Sequence, residues 1–206
     1  MSFFPPLQRS TSAQIKIHID DPEALNKFAA SLSEKLLSRE LLADRPKIIV
    51  CIGTDRSTGD SLGPIVGSRL HELNHRYFKV LGTLENPVHA GNLTEYIKVI
   101  EDLHNPFVLA VDACLGNVEN VGYINIGEGS LKPGAGVNKH LPSVGNLHIT
   151  GVVNVGGFME YFVLQNTRLN MVMKMARLIS HGVQQAAKLI DSGRLVATTI
   201  TSREYF

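Results

Sequence analysis

Apolar residues fall into short continuous runs and into longer runs with helical spacing. Two β-branched, apolar runs, "KIIVCIG" (47–53) and "FVLAVDA" (107–113), predict strands that are covered on both faces. Further strands are predicted at 15–19, 77–84, 122–128 and 146–155, with one more edge strand in the closing "RLVATTITSREYF".

Between these strands the spacing of apolar residues predicts helices. They are expected over 20–41, 63–75, 91–105 and most of 157–193. Asp21 and Asn92 are the predicted N-caps of the first and third helices. Strands that alternate with helices predict an α/β fold, a three-layer α/β/α sandwich with a mainly parallel central sheet. We expect a single domain over 1–206, with residues 1–13 as a loose N-terminal arm.

Composition narrows the range of partners. The 206 residues include 20 Lys and Arg against 19 Asp and Glu, so the near-neutral chain has no broad field for nucleic acid or an acidic membrane. The longest uncharged stretch, 141–159, is interrupted by Pro142 and by Gly and Asn residues, and is no membrane span. Because Cys51 and Cys114 lie in or beside apolar runs, we expect buried thiols in a reducing, cytoplasmic compartment. No nucleic acid and no membrane partner are expected.

The loop "CIGTDRSTGDSLGP" (51–64) joins a buried strand to a helix, as phosphate-binding loops do. A Walker A loop places a Lys after its last glycine, whereas here Gly59 is followed by Asp60. A carboxylate at a helix start fills the anion site that the helix dipole creates, so phosphate binding is disfavoured. Asp60 is then either an N-cap or a catalytic carboxylate.

A second carboxylate, Asp112, ends the strand "FVLAVDA". In open parallel sheets ligands bind beyond the carboxyl ends of the strands, so neighbouring strands at 47–53 and 107–113 would place Asp60 and Asp112 in one crevice. Two acids there push their pKa values apart, which suits a general base beside a general acid. The same pair suits a divalent metal, and each Asp alone suits a simple cap or turn.

Other nucleophiles are less favoured. Cys114 lies two residues after Asp112, but no sequence feature supplies the histidine that a Cys–His enzyme needs. Ser57 and Ser61 lack a G-x-S-x-G context, and we expect both to hydrogen-bond backbone groups of the turn.

Three blocks show a resemblance to a known group of proteins. "IGTDRSTGDSLGP", "NPVHAGNLTEYIKVIEDLHNPFVLAVDACLG" and "KPGAGVNK" occur in the order and approximate spacing of blocks in the bacterial spore germination protease. In length and in the sequence of these blocks the chain resembles still more the short sporulation proteins of the YyaC type, which are related to that protease. It is more distantly similar to hydrogenase maturation endopeptidases, which share the α/β/α architecture. The resemblance covers about residues 47–165.

The resemblance implies roles for particular residues. Asp60 and Asp112 fall where the germination protease has its two proposed catalytic aspartates. The matching glycine loop, which walls the substrate crevice and offers N–H groups to an oxyanion, contains Gly134, Gly136, Asn138 and Lys139. In the maturation endopeptidases the two acids bind a metal with a His, for which His140 is the nearest match, followed by His148 and His89. The family's Gly-Asn after the first strand is here Gly53-Thr54.

The leading hypothesis is therefore a sporulation-associated endopeptidase of the cytoplasm that acts on a protein or peptide substrate. One aspartate of the pair activates water and the other supplies a proton, and no cofactor is required. The alternatives are a non-catalytic peptide-binding protein of the same fold and a Ni or Zn site that uses Asp60, Asp112 and His140. The sequence leaves the substrate and the oligomeric state open.

Overall fold

The structure, a computed structural model, describes residues 14–38, 45–133 and 141–201, with side chains described up to residue 193. Its strands are β1 (Ile15–His18), β2 (Lys47–Cys51), β3 (Lys79–Leu81), β4 (Phe107–Gly116), β5 (Tyr123–Glu128) and β6 (Leu147–Val155). Its α-helices are α1 (Ala24–Ser38), α2 (Leu62–Glu72), α3 (Leu93–Glu101), α4 (Glu160–Gln165) and α5 (Leu169–Thr201). Short 3-10 helices lie at Gly59–Ser61 and Val118–Asn120.

The described strands form one sheet in the order β1-β5-β6-β4-β2-β3. β2 pairs in parallel with β3 and β4, and β4 pairs in parallel with β6. β5 runs antiparallel to both β1 and β6. The sheet is thus mainly parallel, as predicted. β2, β4 and β6 run in the same direction, and β4 and β6 extend beyond the end of β2.

Helices cover both faces of the sheet. One core packs α1, α2 and α5 against inward side chains such as Ile49, Leu109 and Ile149. The other packs α3 against Ile48 and Val108, which alternate with the first set along the same strands. Side chains of β2 and β4 are therefore buried on both faces, which is why their sequences are continuously apolar. The predicted three-layer α/β/α architecture is confirmed.

The structure shortens or corrects some predicted elements. The strand expected at 77–84 is reduced to the three residues of β3. The closing edge strand is wrong, because α5 runs on through Thr201. A helix pairs its backbone N–H and C=O groups within itself and needs no partner strand, and β-branched residues lower helix propensity only slightly. The residues of "VATTIT" therefore extend the helix instead of adding a strand. The predicted arm at 1–13 lies outside the described residues.

Within the described part of the chain, α5 is the longest helix, and neither it nor any other described helix is long and apolar enough to cross a membrane.

Candidate active site

The loop that follows β2 folds back onto the end of its own strand. Gly53 has φ +142, and a Cβ at this position would overlap the backbone carbonyl oxygen of Asp60. The N–H of Thr54 donates to that same oxygen at 3.1 Å. The N–H of Gly53 donates to the carbonyl of Val88 at 2.8 Å, which fixes the other side of the turn. Asp60 is thereby held above the carboxyl end of β2.

Asp60 lies inside the 3-10 helix and does not occupy the cap position of α2. That position belongs to Ser61, whose Oγ donates to the carbonyl of Thr58 at 2.6 Å. The first turn of α2 packs directly on the strand end, because a Cβ on Gly63 would overlap the carbonyl of Ile52. The N-cap interpretation of Asp60 is therefore wrong, and the half-buried carboxylate needs another explanation.

Asp112 lies on β4 just beyond the end of β2. The last residue pair of the β2–β4 ladder joins Cys51 to Val111, and Asp112 comes next, opposite Thr150 of β6. Its side chain is only 6% exposed, and its Oδ1 accepts a hydrogen bond from the N–H of Ala113 at 2.9 Å. A buried carboxyl group thus lies where β2 ends. The predicted end of this strand at Asp112 is wrong, because β4 and its partner β6 continue past it to Gly116 and Val155.

The pKa of Asp112 is raised well above its ordinary value. Burial is the main cause, because a low-dielectric surrounding disfavours the charged form. The negative charge of Asp60 raises the pKa further, against a smaller opposite effect of the hydrogen bond from Ala113. Asp60 and Asp112 therefore interact electrostatically near the end of β2, and Asp112 is the member that favours the protonated form.

Thr150 and Asn125 lie beside Asp112 on the same face of the sheet. Thr150 accepts a hydrogen bond from Nδ2 of Asn125 at 3.3 Å and is hydrogen-bonded to the sulfur of Cys114. Burial is the main effect that raises the pKa of Cys114 to about 11. A thiol with that pKa is protonated at neutral pH, so Cys114 is a poor nucleophile.

The sequence of this chain is similar to a known protein family and to a relative from another organism. The family model described as "Protein of unknown function (DUF1256)" matches residues 16–182. The chain belongs to this family. A relative from Bacillus subtilis (strain 168), described as the uncharacterized protein YyaC, is 55% identical over 177 residues, 84% of this chain and 85% of the relative. The predicted kinship with proteins of the YyaC type is confirmed, while the links to sporulation and to the germination protease stay predictions.

One solved structure is also similar to this DUF1256 chain. It is a [NiFe] hydrogenase maturation protease, HycI, from Thermococcus kodakarensis KOD1, with a TM-score of 0.43 and 18% sequence identity. The alignment covers 71% of this chain and 97% of the other.

The remaining predicted site residues of the DUF1256 chain are those of the glycine loop and three histidines. The glycine-loop residues and the proposed metal ligand lie outside the described residues: Gly134, Gly136, Asn138, Lys139 and His140. The two other histidines considered as metal ligands each hydrogen-bond a backbone group. Nδ1 of His148 is 3.1 Å from the carbonyl oxygen of Gly129, and Nδ1 of His89 accepts from the N–H of Gly91 at 3.1 Å.

A metal ion needs more ligands than the described residues bring together. Catalytic zinc sites use three protein ligands, and nowhere in the described ranges do three His, Cys, Asp or Glu side chains cluster in this way. A carboxyl group must also lose its proton to bind a metal, whereas burial favours the protonated form of Asp112. The metal alternative thus depends on His140.

Sequence reasoning missed some residues that shape the site. Thr150 and Asn125 are polar, buried positions in apolar strands, and this break in the pattern is the signal that could have identified them. The expectation for Ser61 holds, since it bonds the backbone of the turn. Ser57 differs, because its buried Oγ has no hydrogen-bond partner in the described part of the chain.

Proposed function

We propose that this protein is an endopeptidase that hydrolyses peptide bonds with the Asp60–Asp112 pair and without a cofactor. The observation that supports it best is the buried carboxyl group of Asp112 beside the end of β2, whose pKa is raised mainly by burial and further by the negative charge of Asp60. Two close acids with unequal environments share one proton, and that arrangement supplies a base and an acid at the same pH.

In the proposed mechanism Asp60 is the base and Asp112 the acid. Asp60 takes a proton from a water molecule while the water oxygen bonds to the carbonyl carbon of the peptide. Asp112 gives its proton to the carbonyl oxygen, which leaves a tetrahedral diol. Asp60 then returns its proton to the nitrogen as the C–N bond breaks, and Asp112 recovers a proton from the diol. Both groups end in their starting states.

Two further parts of the proposal rest on the motif resemblance. Backbone N–H groups around residues 134–138 would hydrogen-bond the carbonyl oxygen while negative charge develops on it, before Asp112 protonates it, as the glycine loop of the resembled protease suggests. The blocks shared with the spore germination protease also support a role in sporulation, in the cytoplasm. The free thiols Cys51 and Cys114 are consistent with that reducing compartment.

The proposal is tested by replacing each carboxylate in turn. A library of synthetic dodecapeptides is incubated with the wild type, Asp60→Asn and Asp112→Asn, and the products are sequenced by mass spectrometry. Each variant should cleave at least about 100-fold more slowly, because general acid–base catalysis contributes about that much or more. Asp55→Asn, an exposed carboxylate of the same loop, is the matched control.

The result separates the proposal from its alternative. Wild-type rates in both Asn variants would overturn the two-aspartate mechanism. A wild type that retains peptides without cleaving any would favour the non-catalytic peptide-binding protein.

A further inference from the structure

An exposed apolar surface lies beside the candidate active site. Four large side chains within five residues face solvent: Phe158 at 84%, Met159 at 53%, Tyr161 at 60% and Phe162 at 55% exposure. Met159 adopts a left-handed backbone conformation with φ 51, which is unfavourable for a residue with a side chain and recurs where ligands are held. We call these four residues the α4 patch. Contiguous apolar patches on a protein surface mark binding sites.

A groove opens at this patch. It has a volume of about 580 Å³ and is bounded by the end of β6, the turn after it and α4. Its lining residues are all uncharged: Asn154, Val155, Gly156, Phe158, Met159, Phe162, Val163 and Asn166. A groove of this size and chemistry accepts apolar side chains. One charged residue, Glu160, lies beside it, where its Oε1 accepts a hydrogen bond from the N–H of Gly157 at 3.2 Å.

Direct packing joins the wall of this groove to the turn that contains Asp60. A Cβ on Gly59, the residue before Asp60, would lie 2.8 Å from Cδ2 of Leu164 and 3.0 Å from Oγ1 of Thr167. Thr167 in turn accepts a hydrogen bond at 3.2 Å from Nδ2 of Asn154, which lines the groove. β6, which ends in the groove, is also the parallel neighbour of β4 with Asp112. The elements that form the groove thus pack directly against the turn of Asp60 and the strand of Asp112.

We propose that this groove is a specificity subsite that binds apolar side chains of the peptide held at Asp60 and Asp112. The inference rests on the proposed function and names its substrate class: extended peptide segments rich in Leu, Ile, Met or Phe near the bond that is cleaved. The apolar side chains of the groove lining and of the α4 patch favour this class, and the packing of Gly59 against Leu164 and Thr167 places the subsite beside the turn of Asp60.

The experiment measures binding without turnover. The Asp60→Asn/Asp112→Asn variant is immobilised and incubated with an equimolar library of random dodecapeptides, and the retained peptides are sequenced by mass spectrometry. Retained peptides should be enriched in Leu, Ile, Met and Phe. Adding Phe158→Ser and Phe162→Ser should reduce retention about 10-fold, because each lost contact removes buried apolar area.

Matched control variants test whether the loss of any exposed apolar side chain, or a loss of folding, would have the same effect. Val99→Ser and Leu189→Ser remove exposed apolar side chains (61% and 46% exposed) from α3 and α5, outside the groove lining, and should leave the enrichment intact. Phe158 and Phe162 face solvent, so their replacement should leave the core folded, which thermal melting checks. Tyr161→Ser, next to the groove with its ring 6.2 Å from that of Phe162, provides a second, milder variant that should weaken retention less.

The outcomes distinguish this inference from the proposed function. If cleavage by the wild type needs both aspartates but retained peptides show no apolar enrichment, or the groove variants keep it, the subsite is wrong and the mechanism stands. If apolar peptides are retained but the wild type cleaves none, the proposed function fails and the groove belongs to a binding protein. If Phe158→Ser/Phe162→Ser dissociates an oligomer in sedimentation while apolar peptides are not retained, the patch joins copies of the chain and the inference is overturned.

Discussion

The backbone of Gly53 lies directly against the carbonyl group of Asp60, with no room for a Cβ between them. This contact, together with the hydrogen bond from Thr54 to the same carbonyl, closes the loop after β2. The loop therefore fixes the backbone of Asp60, whose charge adds to the main effect of burial in raising the pKa of Asp112. A small residue at the end of a strand thus determines where one carboxylate of the pair lies.

Gly53→Ala should disturb both stability and cleavage. The new methyl group overlaps the Asp60 carbonyl, and φ +142 is unfavourable for alanine. Gly129→Ala is the matched control, because Gly129 has φ +87 with nothing within 4 Å of its would-be Cβ. Both variants should lose about 1–3 kcal/mol through the backbone conformation. Gly53→Ala should lose roughly 1–3 kcal/mol more through overpacking, measured by urea unfolding.

The peptide assay separates the two glycines further. Gly129→Ala should cleave like the wild type, whereas Gly53→Ala should lose activity because Asp60 is displaced. Equal activity in the two variants would show that the Gly53–Asp60 contact does not position the carboxylate.

Asp112→Asn should change how stability depends on pH. An Asp in the unfolded chain ionises near pH ~3.9, whereas the pKa of native Asp112 is raised. Between these two values the native state binds more protons than the unfolded chain. The contribution of Asp112 to the free energy of unfolding is therefore fully present below about pH 3.9 and falls by about 1.4 kcal/mol per pH unit above it. It is lost once the pH exceeds the native pKa of Asp112. Asparagine cannot ionise, so the variant should gain stability relative to the wild type as pH rises.

Urea unfolding at pH 4, 5, 6 and 7 measures this difference. Asp55→Asn, which replaces an exposed carboxylate, serves as the reference and should show no comparable trend. Asp60→Asn should narrow the pH range of the effect, because removing its charge lowers the pKa of Asp112. A stability difference between Asp112→Asn and the wild type that is flat across this range would contradict the raised pKa.

Cys114→Ser should leave cleavage within about twofold of the wild type. Burial holds the Cys114 thiol at a pKa of about 11 and raises the pKa of Cys51 as well, so neither is a thiolate at neutral pH. In the native protein both should react slowly with a thiol reagent at pH 8, and at normal rates in urea. A loss of cleavage as large as that of Asp112→Asn would instead indicate a cysteine nucleophile.

The central parallel strands could be predicted because their burial shows in the sequence of each strand. "KIIVCIG" and "FVLAVDA" are buried on both faces, and that burial is written directly in their continuous apolar runs. Their shared carboxyl edge then follows from parallel pairing, which is how Asp112 could be singled out. The candidate site combines Asp60 and Asp112, which lie far apart in the sequence and come together only when the strands pair in the sheet.

Other features depend on packing that a local pattern does not record. The closing residues favour a strand by composition, yet they continue α5, which packs along α1 and α2. Asp60 has the residue type of a helix cap, but the contact with Gly53 and the 3-10 turn shift the cap to Ser61. The α4 patch looks like the apolar face of one more buried helix, because exposure cannot be seen in a sequence of apolar residues.

Removing divalent metals should leave cleavage unchanged. A metal at this site would have to displace the proton that burial favours on Asp112, and a third ligand would have to come from His140, outside the described residues. The peptide assay is run after dialysis against EDTA and after readdition of Ni²⁺ or Zn²⁺, with His140→Ala beside the wild type. Calorimetric titration of the same proteins measures binding directly. Heat with either ion that disappears in Asp112→Asn and His140→Ala, together with activity that the ion restores, would replace the metal-free mechanism with a metal-dependent one.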